Sequence, residues 1–452
     1  MSATSSTYLS RTFGSGDNLR KWTFSCWVKR SNLGSNNWIF HAITDTSNEN
    51  SFFFDGSDRL CFSIYEGGNN DYGRLTSTRK FRDVNCWYHL QIVWDSANST
   101  GADRMIMYVN GVRETAFDTN TTATLNFEGR WNRNGVVHRI GAYNAGGAYM
   151  FFEGSMSHIH FSDGYALAPT VFGETDSTTG EWKIKTNPSF TLGTNGFSIL
   201  KDGNTITDQS ANSNNFSLGA GTLTKTEDCP SNVYATVNPL VRNSTTISYG
   251  NTRIASGTSN WYGIPATLGV ETGKFYWEYK LTTGNAWSQC GVMSSKPAGG
   301  YDSLVSTYVG NNSGGLALNS GNGDFYHDGS SSAYGTSAWF AGGLAQGDII
   351  GVALDATNSK IWFAKNGTWG NSSNPSTGSG GIDFSGDTDF TNYKPYLPAF
   401  SVHNCTVDIN FGNGYFGGTA ISSAGTNASG IGLFEYDTPT NFTSLSTKGL
   451  NL

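Results

Sequence analysis

Two Asn-Gly dipeptides, each set between runs of β-prone residues, do most to limit what this chain can fold into. Arg104-Met105-Ile106-Met107-Tyr108-Val109 leads into Asn110-Gly111 and then Val112-Arg113-Glu114. Ile361-Trp362-Phe363-Ala364-Lys365 leads into Asn366-Gly367 and then Thr368-Trp369. The two-residue hairpin loop needs positive φ at both centres, which Asn and Gly tolerate and most residues resist. No long segment places apolar residues at i, i+3, i+4 and i+7, as an amphipathic helix would. Period-two runs recur instead. They predict strands at 22–29, 51–54, 60–65, 87–94, 136–141, 156–161, 275–280, 349–354 and 406–411. Many strands at short spacing point to a sandwich or barrel, not a βαβ fold.

Composition narrows the partners. Charged residues are 14% of the 452, against about 25% in ordinary soluble domains. The polar surface is therefore Ser, Thr, Asn and Gly. Net charge is −7 and no segment clusters Lys and Arg, which argues against nucleic acid and anionic membranes as partners. No run approaches the roughly 18 apolar residues of a membrane span, so no membrane insertion is expected. Met1-Ser2-Ala3-Thr4-Ser5-Ser6 has neither the basic region nor the hydrophobic stretch of a signal peptide. Cys26, Cys61, Cys86, Cys229, Cys290 and Cys405 are irregularly spaced, without a CxxC, and are expected to be buried free thiols. The Asn-x-Ser/Thr triplets at Asn98, Asn120, Asn243 and Asn366 follow from composition and need not carry sugar.

A repeated phrase marks the divisions. Asp228-Cys229-Pro230-Ser231-Asn232 and Asp437-Thr438-Pro439-Thr440-Asn441 each end a long β region and lead into an extended run. Proline fixes φ and closes the strand before it. The expected order is a jelly roll over 1–175, a small β extension completing it over 176–226, and an extended linker over 227–245. A second sandwich over 246–415 and an extended C-terminal trailer over 416–452 follow.

Four pieces in order resemble the laminin-G/concanavalin A-like jelly-roll superfamily. They are Trp22-Thr23-Phe24-Ser25-Cys26-Trp27-Val28, Trp87-Tyr88-His89-Leu90, Met107-Tyr108-Val109-Asn110-Gly111 and Phe152-Glu153-Gly154-Ser155-Met156-Ser157-His158-Ile159-His160-Phe161. A later set resembles a SPRY domain over about 270–412. It comprises Gly273-Lys274-Phe275-Tyr276-Trp277-Glu278, Gly347-Asp348-Ile349-Ile350-Gly351-Val352-Ala353-Leu354-Asp355, Trp362-Phe363-Ala364-Lys365-Asn366-Gly367 and Tyr396-Leu397-Pro398-Ala399-Phe400. On these resemblances the fold expected for the chain is all-β, two antiparallel β-sandwich (jelly-roll) domains in series. The whole arrangement resembles a family of marine bacteriophage proteins, including those of cyanobacterial phages, that serve as virion appendages. That resemblance implies a virion location after assembly in the host cytoplasm, other virion proteins as partners, and a homotrimer. The chain departs from the family in starting directly with the sandwich, without an anchoring segment or coiled-coil shaft. This favours a short spike, a tip or a head-surface fibre over a long fibre.

Chemistry-bearing patterns are few. His158 and His160, two apart on a strand, share a face and form half of a candidate metal site. Glycosidases on this jelly roll carry closely spaced carboxylates on one strand, and no Glu-x-Asp-x-x-Glu is present. Nor is there a Gly-x-Ser-x-Gly on a strand-turn-helix. The glycine-rich stretch 314–323 lacks the Lys-Ser/Thr end of a phosphate loop and is expected as a hairpin loop. Calcium is the one cofactor considered, at Asn69-Asn70-Asp71 or Asp163-Gly164, where turns supply Asp and Asn oxygens. Aromatic and amide side chains near loops are the binding candidates: Trp131, Asn132, Tyr143, Tyr149, Trp287, Tyr301, Tyr326 and Trp369. Trp27, Trp94, Trp277 and Trp362 lie in strand centres and are expected to be structural. The expected function is a non-enzymatic virion protein (tail fibre, spike or similar appendage) that attaches to a host-surface glycan or protein. A head-decorating or connector protein is the second reading, and a polysaccharide-degrading enzyme the third.

Overall fold

A computed structural model describes residues 6–452, apart from 71, 146, 147, 202, 204, 242, 243, 285, 286, 297–305, 312 and 332–338. Its contacts separate two compact units. The first is Met1–Lys225 with Cys229–Ser231, and the second is Thr226–Asp228 with Asn232–Leu452.

Strands of the first unit begin with β1 (Tyr8–Thr12), β2 (Lys21–Arg30), β3 (Asn37–Asp45), β4 (Asn48–Phe54), β5 (Arg59–Tyr65) and β6 (Arg74–Lys80). Then come β7 (Trp87–Asp95), β8 (Met105–Val109), β9 (Val112–Arg113), β10 (Phe117–Thr121), β11 (Val137–Ile140), β12 (Ala142–Ala145) and β13 (Ala148–Phe151). Last are β14 (Gly154–Asp163), β15 (Gly173–Thr175), β16 (Trp182–Ile184), β17 (Phe197–Ile199) and β18 (Ser217–Ala220). Among the described residues one sheet runs β10-β6-β5-β4-β3-β11-β1-β18 and the other β17-β14-β2-β7-β8-β9. The segment 176–226 thus adds an edge strand to each sheet, β17 to one and β18 to the other.

Alternation along β2 shows why the sheets stack. Trp22, Phe24, Cys26 and Val28 enter the core between them, with Phe40, Phe62, Ile92, Trp94 and Phe161. Phe24 and Phe40 stack at 4.4 Å. Each fully buried large side chain contributes about 1.5–3 kcal/mol.

The second unit opens with β19 (Thr246–Ser248), β20 (Arg253–Ala255), β21 (Tyr262–Pro265), β22 (Lys274–Gly284), β23 (Ser288–Ser294), β24 (Gly315–Asn319) and β25 (Phe325–His327). It continues with β26 (Ile349–Asp355), β27 (Lys360–Lys365), β28 (Thr368–Trp369), β29 (Ile382–Asp383), β30 (Tyr396–Val402) and β31 (Cys405–Asn410). The short β32 (Tyr415–Phe416), β33 (Thr419–Ala420) and β34 (Thr443–Ser444) follow. One sheet runs β19-β20-β31-β22-β26-β27-β28, with β29 on β27 and β34 on β22; the other runs β21-β30-β23-β24-β25. The chain is therefore all-β, with two antiparallel sandwiches.

The stretch 314–323 is not the hairpin loop its glycines suggest. Gly315–Asn319 is β24, between β23 and β25, because Leu316 and Leu318 fill the core while Ala317 packs on the other face with Met293. All six cysteines are free, and Cys26, Cys61, Cys290 and Cys405 are buried.

Both repeated phrases lead into strand-like runs that pair with each other inside the second unit. The Ala235 N–H donates to Leu445 O (2.9 Å), Thr447 N–H to Val233 O (2.9 Å) and Lys448 N–H to the Asn232 side-chain oxygen (3.0 Å). Ala235, Val237 and Leu445 belong to the core, so these parts of 227–245 and 416–452 are extended chain that packs into the second unit through isolated bridges, such as Tyr234 with Ser446. Phe434 and Phe442 cover Tyr276, Ala353 and Trp362 on the sheet's outer face.

Candidate functional site: an aromatic row on the second unit

The outer face of the β17-β14-β2-β7-β8-β9 sheet presents Thr23, Ser25, Trp27, His89, Gln91 and His160, all buried. The segment after β14 covers them. Gln91 Nε2 donates to Leu167 O (2.7 Å), Thr23 Oγ1 to Tyr165 O (2.8 Å), and Phe172 stacks on His160 at 5.3 Å. Ser25 Oγ lies 2.8 Å from His89 Nε2. That pair has the outline of a nucleophile and its base, but the protons run the wrong way. Trp182 Nε1–H donates to His89 Nδ1 (3.1 Å), so a neutral ring carries its proton on Nε2 and donates it to the serine. Burial pulls the His89 pKa down to about 3, which keeps the ring neutral. No carboxylate stands among these six side chains.

The candidate residues of the first unit are mostly core. Trp131, expected at an exposed loop, is 1% exposed. Its ring stacks on Phe40 at 5.4 Å and meets Trp22 edge-on at 5.0 Å, because the loop folds in to fill the gap between the sheets. Asn132 is also buried and ties loops together: its N–H donates to His138 Nε2 (3.0 Å) and its side-chain oxygen accepts from Asn195 Nδ2 (2.9 Å). Neither can reach a ligand. Tyr143 is half-buried, 4.7 Å from Trp38 and 4.8 Å from His41. The side chain of Tyr149 lies outside the described residues.

The metal readings meet filled coordination. His158 Nδ1 is 2.7 Å from Ser157 Oγ and His160 Nδ1 is 2.8 Å from Ser198 Oγ. A bulge between Ser157 and His160 gives His158 a φ of 47°, so the pair does not keep the simple two-residue repeat. The Asp163 carboxylate accepts the N–H groups of Asp17 (2.8 Å), Asn18 (3.2 Å) and Asn195 (3.1 Å), together with Asn132 Nδ2. Its lone pairs face donors, the opposite of what calcium requires. Asn70 Oδ1 accepts from Ser63 Oγ (2.7 Å), and Asp71 lies outside the described residues. Among the described residues no group of three or more His, Cys, Asp or Glu could hold a metal.

The second unit brings two of the predicted residues into one surface. The register pairs Tyr262 with Val402 and Ser288 with Val402. One residue beyond those partners stand Trp261, His403 and Trp287, at one end of the β21-β30-β23-β24-β25 sheet. Trp261 lies 6.5 Å from Trp287, 5.3 Å from His403 and 5.2 Å from Tyr308, and Tyr308 lies 5.9 Å from Tyr326. Trp287 is 47% exposed and the other four are half-buried. Asn404 N–H donates to Thr258 O (2.9 Å), which fixes two of the loops to each other, and Asn322 Nδ2 donates to Tyr326 OH (3.2 Å). Partial burial pushes the Tyr308 phenol up, so it remains a neutral O–H donor. Thr258, Ser259, Asn260 and Asn404 form an exposed polar rim.

Sequence reasoning missed Trp261, Tyr308 and His403. Trp261 carried the same signal as Trp287, an aromatic just before a strand, after the polar run Gly257-Thr258-Ser259-Asn260. Tyr301 lies outside the described residues. Trp369 belongs elsewhere, half-buried beside Tyr276 (6.4 Å) in the cluster with Phe434 and Phe442. Trp27, Trp94, Trp277 and Trp362 are buried.

One exposed and four half-buried rings in a contiguous row offer apolar surface to an apolar side chain or to the C–H face of a sugar, while the rim supplies hydrogen bonds. Trp and Tyr dominate the energetics of such surfaces because they bury much area at low entropic cost.

Comparison with known proteins follows the two units. Residues 4–172 match the model of the Concanavalin A-like lectin/glucanases superfamily. Residues 274–414 match that of the SPRY domain. No curated protein matches the chain. Among solved structures, a native heptameric SAP-like pentraxin from Limulus polyphemus is 18% identical, over 37% of this chain and 73% of that one, with a TM-score of 0.28. The SPRY domain of human HERC1 is 16% identical, over 38% and 96%, with a TM-score of 0.26. Domain 4 of AbnA, a GH43 extracellular arabinanase from Geobacillus stearothermophilus, is 19% identical, over 33% and 64%, with a TM-score of 0.25. The chain thus carries a concanavalin A-like (laminin G) domain followed by a SPRY domain.

Proposed function

We propose that this is a non-enzymatic recognition protein that attaches to a surface glycan or surface protein through the aromatic row of its second unit. The observation that carries the reading is the unbroken chain of rings from Trp287 through Trp261 and Tyr308 to Tyr326, with Trp287 47% exposed. The part of the indole left in water gains free energy when a partner covers it. The lectin-like match of the first unit supports a glycan partner, and the SPRY match supports a protein one. The sealed outer face of the first unit and its misdirected Ser25–His89 pair favour binding over catalysis. The resemblance to marine phage appendage proteins extends the proposal: the surface is that of a bacterial host, and the protein acts from the virion, where it assembles with other virion proteins.

The test is binding of labelled protein to intact marine bacteria, with and without their purified surface polysaccharide and after protease treatment of the cells. Saturable binding that falls at least tenfold in Trp287→Ala is expected, the loss of one interface anchor. Competition by polysaccharide identifies a glycan, and sensitivity to protease a protein. Binding that Trp287→Ala and Trp261→Ala both leave intact removes the row from the function.

A further inference from the structure

A second surface of the second unit lies far from the aromatic row along β22. That strand begins at Lys274 and ends at Gly284, close to Trp287, so its two ends are about 34 Å apart at ~3.4 Å per residue. At the Lys274 end the register sets four charged residues side by side on neighbouring strands. Lys274 pairs with Asp355, Asp355 with Lys360, and Lys360 with Asp383. Directly paired residues point to the same face, so the sign alternates across β22, β26, β27 and β29. Lys274 Nζ lies 3.4 Å from Asp355 Oδ2, and Lys360 Nζ lies 3.6 Å from Asp383 Oδ2. This ladder borders an open groove of about 710 Å³, whose other walls include the hydroxyls of Thr357, Ser376, Thr377 and Ser385 and the amide of Asn358.

We propose that this groove is a second ligand site, and that its ligand is a neutral oligosaccharide. The lining decides the class. An apolar ligand would strip water from hydroxyls and charges without replacing their hydrogen bonds. An anion would face Asp355 and Asp383, and a cation would face Lys274 and Lys360. A sugar hydroxyl donates and accepts at once. The Lys274 and Lys360 ammoniums as donors and the Asp383 carboxylate as acceptor, rimmed by hydroxyls, therefore satisfy it in both roles, while the buried Asp355 spends its oxygens on Lys274 and on the N–H and Nδ2 of Asn358 (2.9 and 2.8 Å) and holds the row in place. The side chains of Lys274 and Lys360 are about one-third exposed and that of Asp383 about half, so each keeps capacity for a ligand beyond its own ion pair. Trp362, in the groove wall, is buried and spends its indole N–H on Ser379 O (2.9 Å), so recognition here depends on hydrogen bonds instead of ring stacking.

The test is calorimetric titration of the full chain with a panel of neutral tri- to hexasaccharides, at low and at high salt. At least one is expected to bind saturably, with an affinity that salt does not change, since the ligand carries no charge. Lys360→Met and Asp383→Asn are each expected to weaken it about tenfold, the loss of one charged hydrogen bond. Trp287→Ala should leave it unchanged, which separates this site from the aromatic row. Both groove variants alter partly exposed side chains, and circular dichroism confirms that they fold. Three results would overturn the proposal: no member of the panel binds the folded protein, binding ignores both groove variants, or binding disappears at high salt, as for an anion.

Discussion

Glu278 and Tyr436, 158 positions apart, are joined by a hydrogen bond from the Tyr436 N–H to the buried Glu278 carboxylate (2.9 Å). The Glu435 N–H donates to the other oxygen (2.9 Å), as does Asn410 Nδ2 (3.1 Å). One carboxylate therefore fastens the segment that lays Phe434 over Tyr276. Glu278→Gln replaces an accepting oxygen with a donating amide and leaves a backbone N–H facing a donor. We expect it to destabilise the second unit by about 1–3 kcal/mol, read by urea unfolding. An unchanged midpoint would mean that the segment is held by its phenylalanines alone.

The same residue gives the second unit a pH dependence. Burial dominates its donors and raises the Glu278 pKa from 4.5 to about 7. Between those values the native chain holds a proton that the unfolded chain has released. This group's contribution to stability is therefore full below pH 4.5 and falls as pH rises from 4.5 to 7, by about 3 kcal/mol. Urea unfolding at acid and neutral pH should show that decline in the wild type. Glu278→Gln, which cannot titrate, should flatten it.

The first unit should respond in the opposite direction. Burial pulls His89 and His138 from 6.5 down to about 3. The unfolded chain then takes up protons that the native chain refuses, so stability is lost as pH falls below 6.5, at about 1.4 kcal/mol per pH unit for each histidine. Hydrogen exchange followed by mass spectrometry reads the two units separately. On acidification it should show protection falling in β2 and β7 while it rises in β22 and β26. His89→Gln keeps a donor and an acceptor on the side chain without titrating, and it should reduce the loss in the first unit.

Strands were legible in the sequence because alternation is local: 22–29, 87–94 and 349–354 fall within β2, β7 and β26. Loops that turn inward were not. Trp131 and Trp287 both sit in polar, glycine-rich surroundings, yet one fills a gap between sheets and the other stays wet, a difference set by what the distant chain leaves open. The aromatic row joins positions 261, 287, 308, 326 and 403, far apart in the chain, and strand register brings 261, 287 and 403 to one end of the sheet. Glu278 gave no signal because a single acid in an apolar strand is equally an outward-facing residue. In β24, leucines at alternate positions outweighed the flanking glycines. The pairing of 233–235 with 445–447 was hidden because each run alone looks like a connector.

The two Asn-Gly turns perform one job in both sandwiches. The Asn110 N–H donates to His89 O (2.8 Å) while the His89 N–H donates to Asn110 Oδ1 (2.8 Å); Asn366 exchanges the same two bonds with Ile349, at 2.8 and 2.9 Å. Both asparagines hold positive φ, 49° and 47°, and each following glycine lies under a ring, Gly111 under Trp182 and Gly367 under Tyr436. The side chain thus pins the hairpin to the strand before it. Alanine at either position loses that acceptor and meets the left-handed penalty that asparagine eases. We expect Asn110→Ala and Asn366→Ala each to cost about 1–3 kcal/mol. Hydrogen exchange should place each loss in its own unit, with β7–β8 loosened in one variant and β26–β27 in the other. Asn366 also heads an Asn-x-Thr triplet, and both side-chain atoms are spent, the amide on Asp348 Oδ1 (2.7 Å). A glycan on that amide would break its bond to Asp348. At the other turn, Asn110→Asp keeps the oxygen that accepts from His89 N–H and should be milder than Asn110→Ala. Equal losses in the two variants would show that backbone strain, not the shared hydrogen bonds, controls the turn.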